Sequence, residues 1–357
     1  MPHLLVDLSS HGFGHIAQTA PVVNALVERL PGLRVTLRSG APHELLAQRF
    51  HCEFGLIPRA LDFGMMMADA LAVRVEESAR AYRDFHRGWA DRVAGEAERM
   101  AALAPDLLLA NVPYLSLAAA ARANIPAVAL CSLNWADIYH HYCHDRPEAG
   151  EIHAQMLAAY NSAACFLRPQ PSMEMADTHN TREIAPIARL GRNRRGEIAA
   201  GLGLAPADRL VLIAMGGVAF RLPLENWPRL PGVRWVVLSS WRVHHPDAVE
   251  LESLGMDFTD VLASCDALLT KPGYGSFAEA ACNGVPVLYL ERKDWPEAPY
   301  LVDWLKRYGR CREVERAALE QGAIAAELEA LWALPATAPV KPDGIAQAAD
   351  FLQALLC

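Results

Sequence analysis

The sequence has no basic excess, no paired cysteines and no long apolar run. Its 33 Lys and Arg stand against 41 Asp and Glu, a formal charge of -8. A general nucleic-acid binder presents a basic face, so that class is excluded. One local basic cluster exists, Arg189, Arg192, Arg194 and Arg195; no aromatic residues interleave with it, and it reads as a solvated linker. The 8 cysteines never form C-x-x-C, and several sit in apolar runs such as Ala127 to Cys131, as small buried hydrophobes of a reducing compartment would. The opening MPHLLVDLSSHGFGH lacks a basic n-region, and its apolar run is too short for a secretory signal. No stretch of about 18 uncharged apolar residues occurs, which excludes a transmembrane helix. The expectation is a cytoplasmic protein. A Walker A pattern is absent, so a P-loop kinase is unsupported, and no Asp-x-Asp metal motif occurs.

What is present is a repeating α/β pattern. At 357 residues the chain exceeds what one hydrophobic core fills, so two domains are expected. Leu4 to Leu8 is an apolar run ending in a Ser-Ser-His-Gly turn, and Ile16 to Leu30 has helical spacing. Strands follow at Arg34 to Arg38 and Phe54 to Pro58, with a helix near Pro42 to Phe50 between them. One long polar helix, free of proline, is expected over Val75 to Leu103. Strands Leu107 to Ala110 and Ala127 to Leu133 flank a helix at Leu115 to Ala123. Fully apolar strands belong to a parallel sheet covered on both faces, and repeated β-α units predict a doubly wound domain.

Pro169 to Gly203 is turn-rich and charged, and is read as the connection between domains. The pattern then restarts with strands at Leu210 to Met215, Trp235 to Ser239, Ala267 to Thr270 and Val285 to Leu290. Helices are expected at Val261 to Cys265 and Phe277 to Asn283, with a terminal one at Ile345 to Leu356. The expected division is 1–170, a connection over 171–205, 206–342, and a last helix over 343–357 that packs back on the first domain. Two such domains are expected to face a cleft, where strand carboxyl ends bind ligands.

Two glycine-bearing turns carry the chemistry. The first, Ser9-Ser10-His11-Gly12-Phe13-Gly14-His15, joins a strand to a helix and lets backbone approach a ligand. His15 stands at the helix start, where the helix dipole disfavours imidazolium; as a neutral imidazole it could take a proton from a hydroxyl. The plainer reading is a helix cap. His11 serves turn hydrogen bonding or substrate contact equally well. The second turn, Thr270-Lys271-Pro272-Gly273-Tyr274-Gly275-Ser276, leads from a strand into a helix starting near Ser276. Its N–H groups and the Ser276 hydroxyl suit a diphosphate, and Glu279 lies one turn on, within reach of ribose hydroxyls. Ser276-x-x-Glu279 is also a capping box, which leaves the preceding Pro-Gly-x-Gly unexplained. Lys271 could approach the phosphate or be solvated, and is read as solvated.

The segment from Asp266 to Leu290, centred on Lys-Pro-Gly-Tyr-Gly-Ser-Phe-Ala-Glu, resembles the donor-binding motif of GT-B glycosyltransferases. Members include the lipid II-forming N-acetylglucosaminyltransferase and the UDP-glucuronosyltransferase relatives. With the His-Gly-x-Gly-His start, the chain also resembles the glycosyltransferase-like N-terminal part of plant L-arabinokinases. The resemblance implies two Rossmann-like domains of GT-B architecture and transfer of a sugar from a nucleotide diphosphate donor, UDP-linked, to an unidentified acceptor (small molecule, lipid-linked or protein). It implies diphosphate contacts at Gly273, Tyr274, Gly275 and Ser276, with Glu279 on the ribose. Gly14, Gly216 and Gly217 become phosphate-approach glycines, the Phe258 region holds the uracil ring, and Asp294 and Glu297 hold donor-sugar hydroxyls. His15 matches the catalytic histidine of inverting members. Asn111 stands where several relatives place the aspartate that orients it, and a neutral amide stabilises imidazolium less.

Acceptor contacts are expected from His11, Phe13 and Asn134; the apolar run Phe63, Met65, Met66 and Met67 could line an acceptor groove, although such a run more commonly forms core or a mobile loop. Trp135, Tyr139, His140, His141 and His144 have the spacing of one helix face; such residues line a polar cleft or surface more often than they bind zinc. No metal or other cofactor is expected, because a helix N-terminus replaces part of a cation's charge. The rival readings are a UDP-sugar 2-epimerase, which needs no acceptor, and a non-catalytic nucleotide-sugar-binding protein, suggested by Asn111.

Overall fold

Buried aliphatic runs make the strands, and turns rich in glycine and polar residues end them. The computed structural model describes residues 1–69, 71–216 and 221–357. The chain forms two compact units: 1–187 with 295–297 and 343–357, and 188–294 with 298–342.

In the first unit, β1 (His3–Leu8), α1 (Phe13–Arg29), β2 (Arg34–Ser39), α2 (His43–Ala47) and β3 (Gly55–Pro58) come first. Then follow α3 (Val75–His86), α4 (Trp89–Leu103), β4 (Leu107–Asn111), α5 (Tyr114–Arg122) and β5 (Ala127–Leu130). Helices α6 (Trp135–Cys143) and α7 (Ala149–Asn161) precede β6 (Cys165–Pro169) and β7 (Thr181–Ile184). The sheet is parallel, in the order β3-β2-β1-β4-β5-β6-β7. All of β1 and β4 is buried, as a parallel sheet covered by helices on both faces requires.

The second unit contains α8 (Arg195–Leu202), β8 (Arg209–Ile213), β9 (Val233–Val237), β10 (Ala248–Glu250), α9 (Phe258–Ser264) and β11 (Ala267–Thr270). It continues with α10 (Tyr274–Cys282), β12 (Val287–Leu290), α11 (Ala298–Tyr308), β13 (Cys311–Val314), α12 (Arg316–Gln321) and α13 (Ala325–Trp332). Its sheet is parallel, in the order β10-β9-β8-β11-β12-β13, around Leu210, Leu212, Leu268 and Phe277. The last helix, α14 (Gly344–Leu356), belongs to the first unit. Its Ala348 and Leu352 join that unit's core, and its Asp350 pairs with Arg29 of α1 at 2.5 Å.

Several expectations change. The single helix over Val75 to Leu103 is two, because Arg87 is extended and Gly88 takes φ 70, a left-handed conformation that breaks the helical path. The stretch read as a connection holds β7 and α8; β7 is an edge strand with Arg182 and Glu183 exposed, so it lacks the apolar run that marks inner strands. Helix α9 starts at Phe258 instead of Val261. The basic cluster is in part ion-paired within the second unit, Arg194 with Glu197 and Arg195 with Asp266.

One charged group lies deep in the first unit. Arg38 at the end of β2 is 2% exposed, and its guanidinium holds Asp7 of β1 through two bonds, of 2.6 and 2.5 Å, and Glu96 of α4 at 2.5 Å. Arg59 and Arg99 reach the other oxygen of Glu96 from the surface. Removing the central cation leaves buried carboxylates uncompensated. Arg38→Met should therefore destabilise the first unit by about 3–5 kcal/mol in urea unfolding. A change under about 1 kcal/mol would show that surface cations and water neutralise the site.

Candidate functional site

Strand order dictates where chemistry can collect in each unit. In the first sheet the chain runs outward on either side of β1 and β4, so the loops leaving these two strands diverge and open a crevice at their carboxyl ends. Leu8 pairs with Asn111 across this point, and Ser9 N–H donates to the Asn111 carbonyl at 2.8 Å. The turn then passes Gly12, whose φ of 143 and ψ of 172 are open only to glycine, into α1. His15 is thereby the third residue of α1, beside the end of β4.

His15 is 7% exposed, and its Nδ1 lies 2.8 Å from Asn111 Oδ1. Burial pulls its pKa down to about 4, against the opposing effect of the Asn111 bond, so the ring is neutral at physiological pH. With Nδ1–H donating to the amide oxygen, Nε2 keeps the lone pair. Polar contacts continue beyond this pair. Asn111 Nδ2 donates to the His15 carbonyl (3.4 Å) and to Gln18 Oε1 (3.3 Å). Gln18 Nε2 donates to Ser132 Oγ (2.8 Å), and Ser132 Oγ–H donates to Glu297 Oε1 (2.6 Å). Glu297 Oε2 accepts from Trp295 Nε1 at 3.2 Å.

A second layer packs on the imidazoles. His11 Nδ1–H donates to the Phe63 carbonyl (3.3 Å), and its ring meets Trp135 edge-on at 5.0 Å and stacks near Trp295 at 6.2 Å. Trp135 also lies 5.7 Å from the His15 ring and donates its indole N–H to Asp62 Oδ2 at 2.7 Å. Asp62 is buried, and desolvation raises its pKa to about 6, opposed by the Trp135 bond. Gly64 lets the backbone pass: at φ 59, a Cβ there would lie 2.6 Å from His11 Nδ1 and 2.8 Å from the Trp135 ring.

The structure sorts the other expected residues of this unit. Gly14 is exposed, and a Cβ at it would meet no atom within 4 Å, so packing does not require glycine there. Phe13 is 51% exposed at the start of α1. Asn134 is buried and caps α6: its Oδ1 accepts from Asp137 N–H at 2.7 Å and its Nδ2 donates to Asp137 at 3.0 Å. That is a structural use of the amide expected to meet acceptor. Of the apolar run, Phe63 packs on Tyr82 and Phe85, Met65 is buried, and Met66 is exposed. Trp135 and Tyr139 are core residues, whereas His140, His141 and His144 are exposed. Among the described residues no group of three or more His, Cys, Asp or Glu could hold a metal ion, and no helix is long and apolar enough to cross a membrane.

The second unit repeats the topology. Its order reverses between β8 and β11, where Ile213 pairs with Leu269, so the turns after both strands lie side by side. Helix α10 begins at Tyr274, with Gly273 as N-cap, no side-chain cap and no acidic residue in its first turn. Ser276 is therefore the third helical residue, not an N-cap, and the capping-box reading fails. The N–H groups of Tyr274, Gly275 and Ser276 precede the first i→i−4 bond, from Phe277 to Gly273. Gly216, at φ 80, lies beside Lys271: a Cβ there would stand 3.6 Å from the Lys271 ammonium. Lys271 is half-buried, with its ammonium beside Gly216. Glu279 is half-buried on the second turn of α10, and Phe258 packs partly against the unit's core. Asp294 is exposed. Gly217 lies outside the described residues. Glu297 belongs with the first unit, bonded to Ser132 and Trp295.

Sequence reading missed Gln18, Ser132 and Asp62, and weighed Lys271 between phosphate approach and solvation, favouring solvation. Gln18 had a detectable signal, being one turn from His15 on the same helix face. Lysine is rare in this chain and none precedes Lys271, which marked that position too.

Two measurements check this geometry. Asp62 holds a proton in the folded state that the unfolded chain releases, so its contribution is fully present below about pH 3.8 and is lost as pH rises through about 6. Asp62→Asn should gain roughly 3 kcal/mol relative to the parent at pH 8 compared with pH 4, by denaturant unfolding at both pH values; an equal difference at the two would refute the buried charge. Gly64→Ala should lower stability by about 1–3 kcal/mol and shift tryptophan emission, because His11 and Trp135 must move.

No protein-family model matches the chain. By sequence it is 26% identical to L-arabinokinase of Arabidopsis thaliana over 332 residues, which are 90% of this chain and 31% of that protein. The chain thus spans about a third of the length of that relative. CalG4, the calicheamicin glycosyltransferase, matches over 100% of this chain and 98% of its own, with a TM-score of 0.64 and 17% identity. UGT89C1 of Arabidopsis thaliana, solved with UDP, matches over 100% of both chains, with a TM-score of 0.60 and 16% identity. A protein assigned as a UDP-N-acetylglucosamine 2-epimerase of Listeria monocytogenes matches over 99% of this chain and 95% of its own (TM-score 0.56, 14% identity). Two parallel α/β units, matched end to end by such structures, give this chain the GT-B fold.

Proposed function

We propose that this chain is a glycosyltransferase that moves a sugar from a UDP-linked donor to an acceptor hydroxyl with inversion. The observation that carries the reading is the turn entering α10: a helix N-terminus without side-chain cap or acidic residue, next to Gly216 and the Lys271 ammonium. The N–H groups of Tyr274, Gly275 and Ser276 stand at this helix start and Lys271 precedes it, donor types that suit a diphosphate. Glu279, on the next helical turn, is assigned to the ribose.

In the proposed step the acceptor oxygen attacks the anomeric carbon while His15 Nε2 takes its proton. The bond from that carbon to the β-phosphate oxygen breaks, and UDP leaves with the electron pair. The N–H groups of α10 and Lys271 stabilise the developing charge. Because Lys271 and the helix dipole supply positive charge, no divalent metal is required, and EDTA should leave turnover unchanged. The resting pKa of His15, about 4, makes it a weak base. Asn111 offers no negative charge to the imidazolium, so it stabilises that form less than a carboxylate would.

Thermal-shift measurements with UDP-, dTDP- and GDP-sugars test the donor class, since a ligand at 100 times its Kd stabilises by about 2.7 kcal/mol. UDP-sugars should shift the melt, and Lys271→Met should weaken binding at least tenfold. With an acceptor panel, His15→Ala should abolish UDP release while keeping the UDP-induced shift. Conversion of the donor without acceptor would assign a 2-epimerase, the chemistry of another GT-B-fold protein. Binding without turnover would assign a sensor, and no shift with any sugar nucleotide would end the proposal.

A further inference from the structure

We infer that Glu297 is a positioning residue that selects the tautomer of His15 through Ser132, Gln18 and Asn111. The inference rests on His15 acting as base through Nε2. The four contacts after the imidazole form one chain from His15 Nδ1 to the Glu297 carboxylate, buried throughout: Gln18 and Glu297 are 2% and 6% exposed, Asn111 and Ser132 0% and 1%.

Such a chain has a direction, and its carboxylate end sets it. A carboxylate only accepts hydrogen bonds, and Trp295 Nε1, a pure donor, occupies Glu297 Oε2. Ser132 must therefore give its single hydroxyl proton to Glu297 Oε1, at 2.6 Å, and can only accept from its other neighbour. That neighbour is then the amide nitrogen of Gln18, at 2.8 Å, which turns Gln18 Oε1 toward Asn111. Asn111 presents Nδ2 to that oxygen and to the His15 carbonyl, which leaves Oδ1 facing the imidazole. An oxygen there requires hydrogen on Nδ1, and the lone pair falls on Nε2.

The two bonds of Asn111 Nδ2, at 3.3 and 3.4 Å, are longer than ordinary N–H···O bonds. The His15 carbonyl alone is thus a weak anchor for the amide, and the Gln18 link supplies the rest. Cys131 Sγ, 3.7 Å from Nδ1, is a weak partner in either role, because a thiol both donates and accepts poorly, and the amide oxygen at 2.8 Å outweighs it. An aspartate in place of Asn111 would need no such chain, since either of its oxygens accepts. A neutral amide can flip, and the distant carboxylate decides which way.

Nitrogen-15 NMR of histidine-labelled full-length protein at pH 7.5 reads the tautomer directly, with His15→Gln assigning the signals. The parent should show His15 as a single neutral form with bare Nε2. In Glu297→Gln, nearly the same shape, the new amide can donate to Ser132 and reverse the chain, so the Nε2–H form should rise several-fold. Gln18→Leu, which breaks the chain midway, should raise it equally, with no further rise in the double variant. Folded variants that keep the parent's tautomer overturn the inference, because a merely structural role lowers melting temperature without moving a proton. The readout needs no turnover, so it is independent of the transferase proposal. A tautomer shift without transfer by the parent on any donor keeps the relay and removes the proposed function; transfer with no tautomer shift does the reverse.

Discussion

The pairing of β1 with β4 is the constraint on which the first unit's chemistry depends. Parallel strands cannot be joined by short turns, so each is followed by a helix, and the sheet grows outward from a central pair. The two chains leaving that pair diverge, and the crevice between them is filled by whatever side chains start α1 and end β4. Here these are His15 and Asn111. Their hydrogen bond joins residues far apart in sequence, and the strand register that sets Leu8 against Asn111 brings them together.

Burial is the second constraint, and it acts on every polar group near this point. A neutral imidazole, a raised carboxyl at Asp62 and the Arg38 cluster are three answers to one problem, the cost of charge away from water. His15 stays neutral, Asp62 gains a proton more readily, and Arg38 keeps its charge by holding two carboxylates. Aromatic rings fill the remaining space: Trp135 touches both imidazoles while its indole N–H is satisfied by Asp62. Packing and polarity are thus joined in one side chain, so a change at Asp62 reaches the histidines through the ring.

The second unit uses the same strand arrangement for the opposite electrostatic purpose. Where the first unit gathers neutral and acidic groups, the turns after β8 and β11 bring Gly216, the Lys271 ammonium and the start of α10 into one region of the second unit. Gly216 is left-handed, and no side chain caps the start of α10, where the helix dipole favours an anion.

Much of the fold was legible along the chain, because inner strands of parallel sheets are continuous apolar runs and the glycine turns punctuate them. The β1 and β11 runs, the turns that follow, and the candidacy of His15 and of Gly273 to Ser276 are local patterns. Helix breaks were less legible: Gly88 resembles any helical glycine until its φ is known, and the polar edge strand β7 resembles a loop. What only the tertiary structure decided is which distant residues meet. Asn134 has the composition of a ligand contact and is a helix cap. Glu297 stands in a charged loop beside Asp294 and is buried against Ser132, while Lys271 has the composition of a solvated lysine and lies at Gly216. Local sequence sets period, turn and helix start because these depend on neighbours a few residues away. Partner choice depends on strand order and burial, which the whole chain determines together.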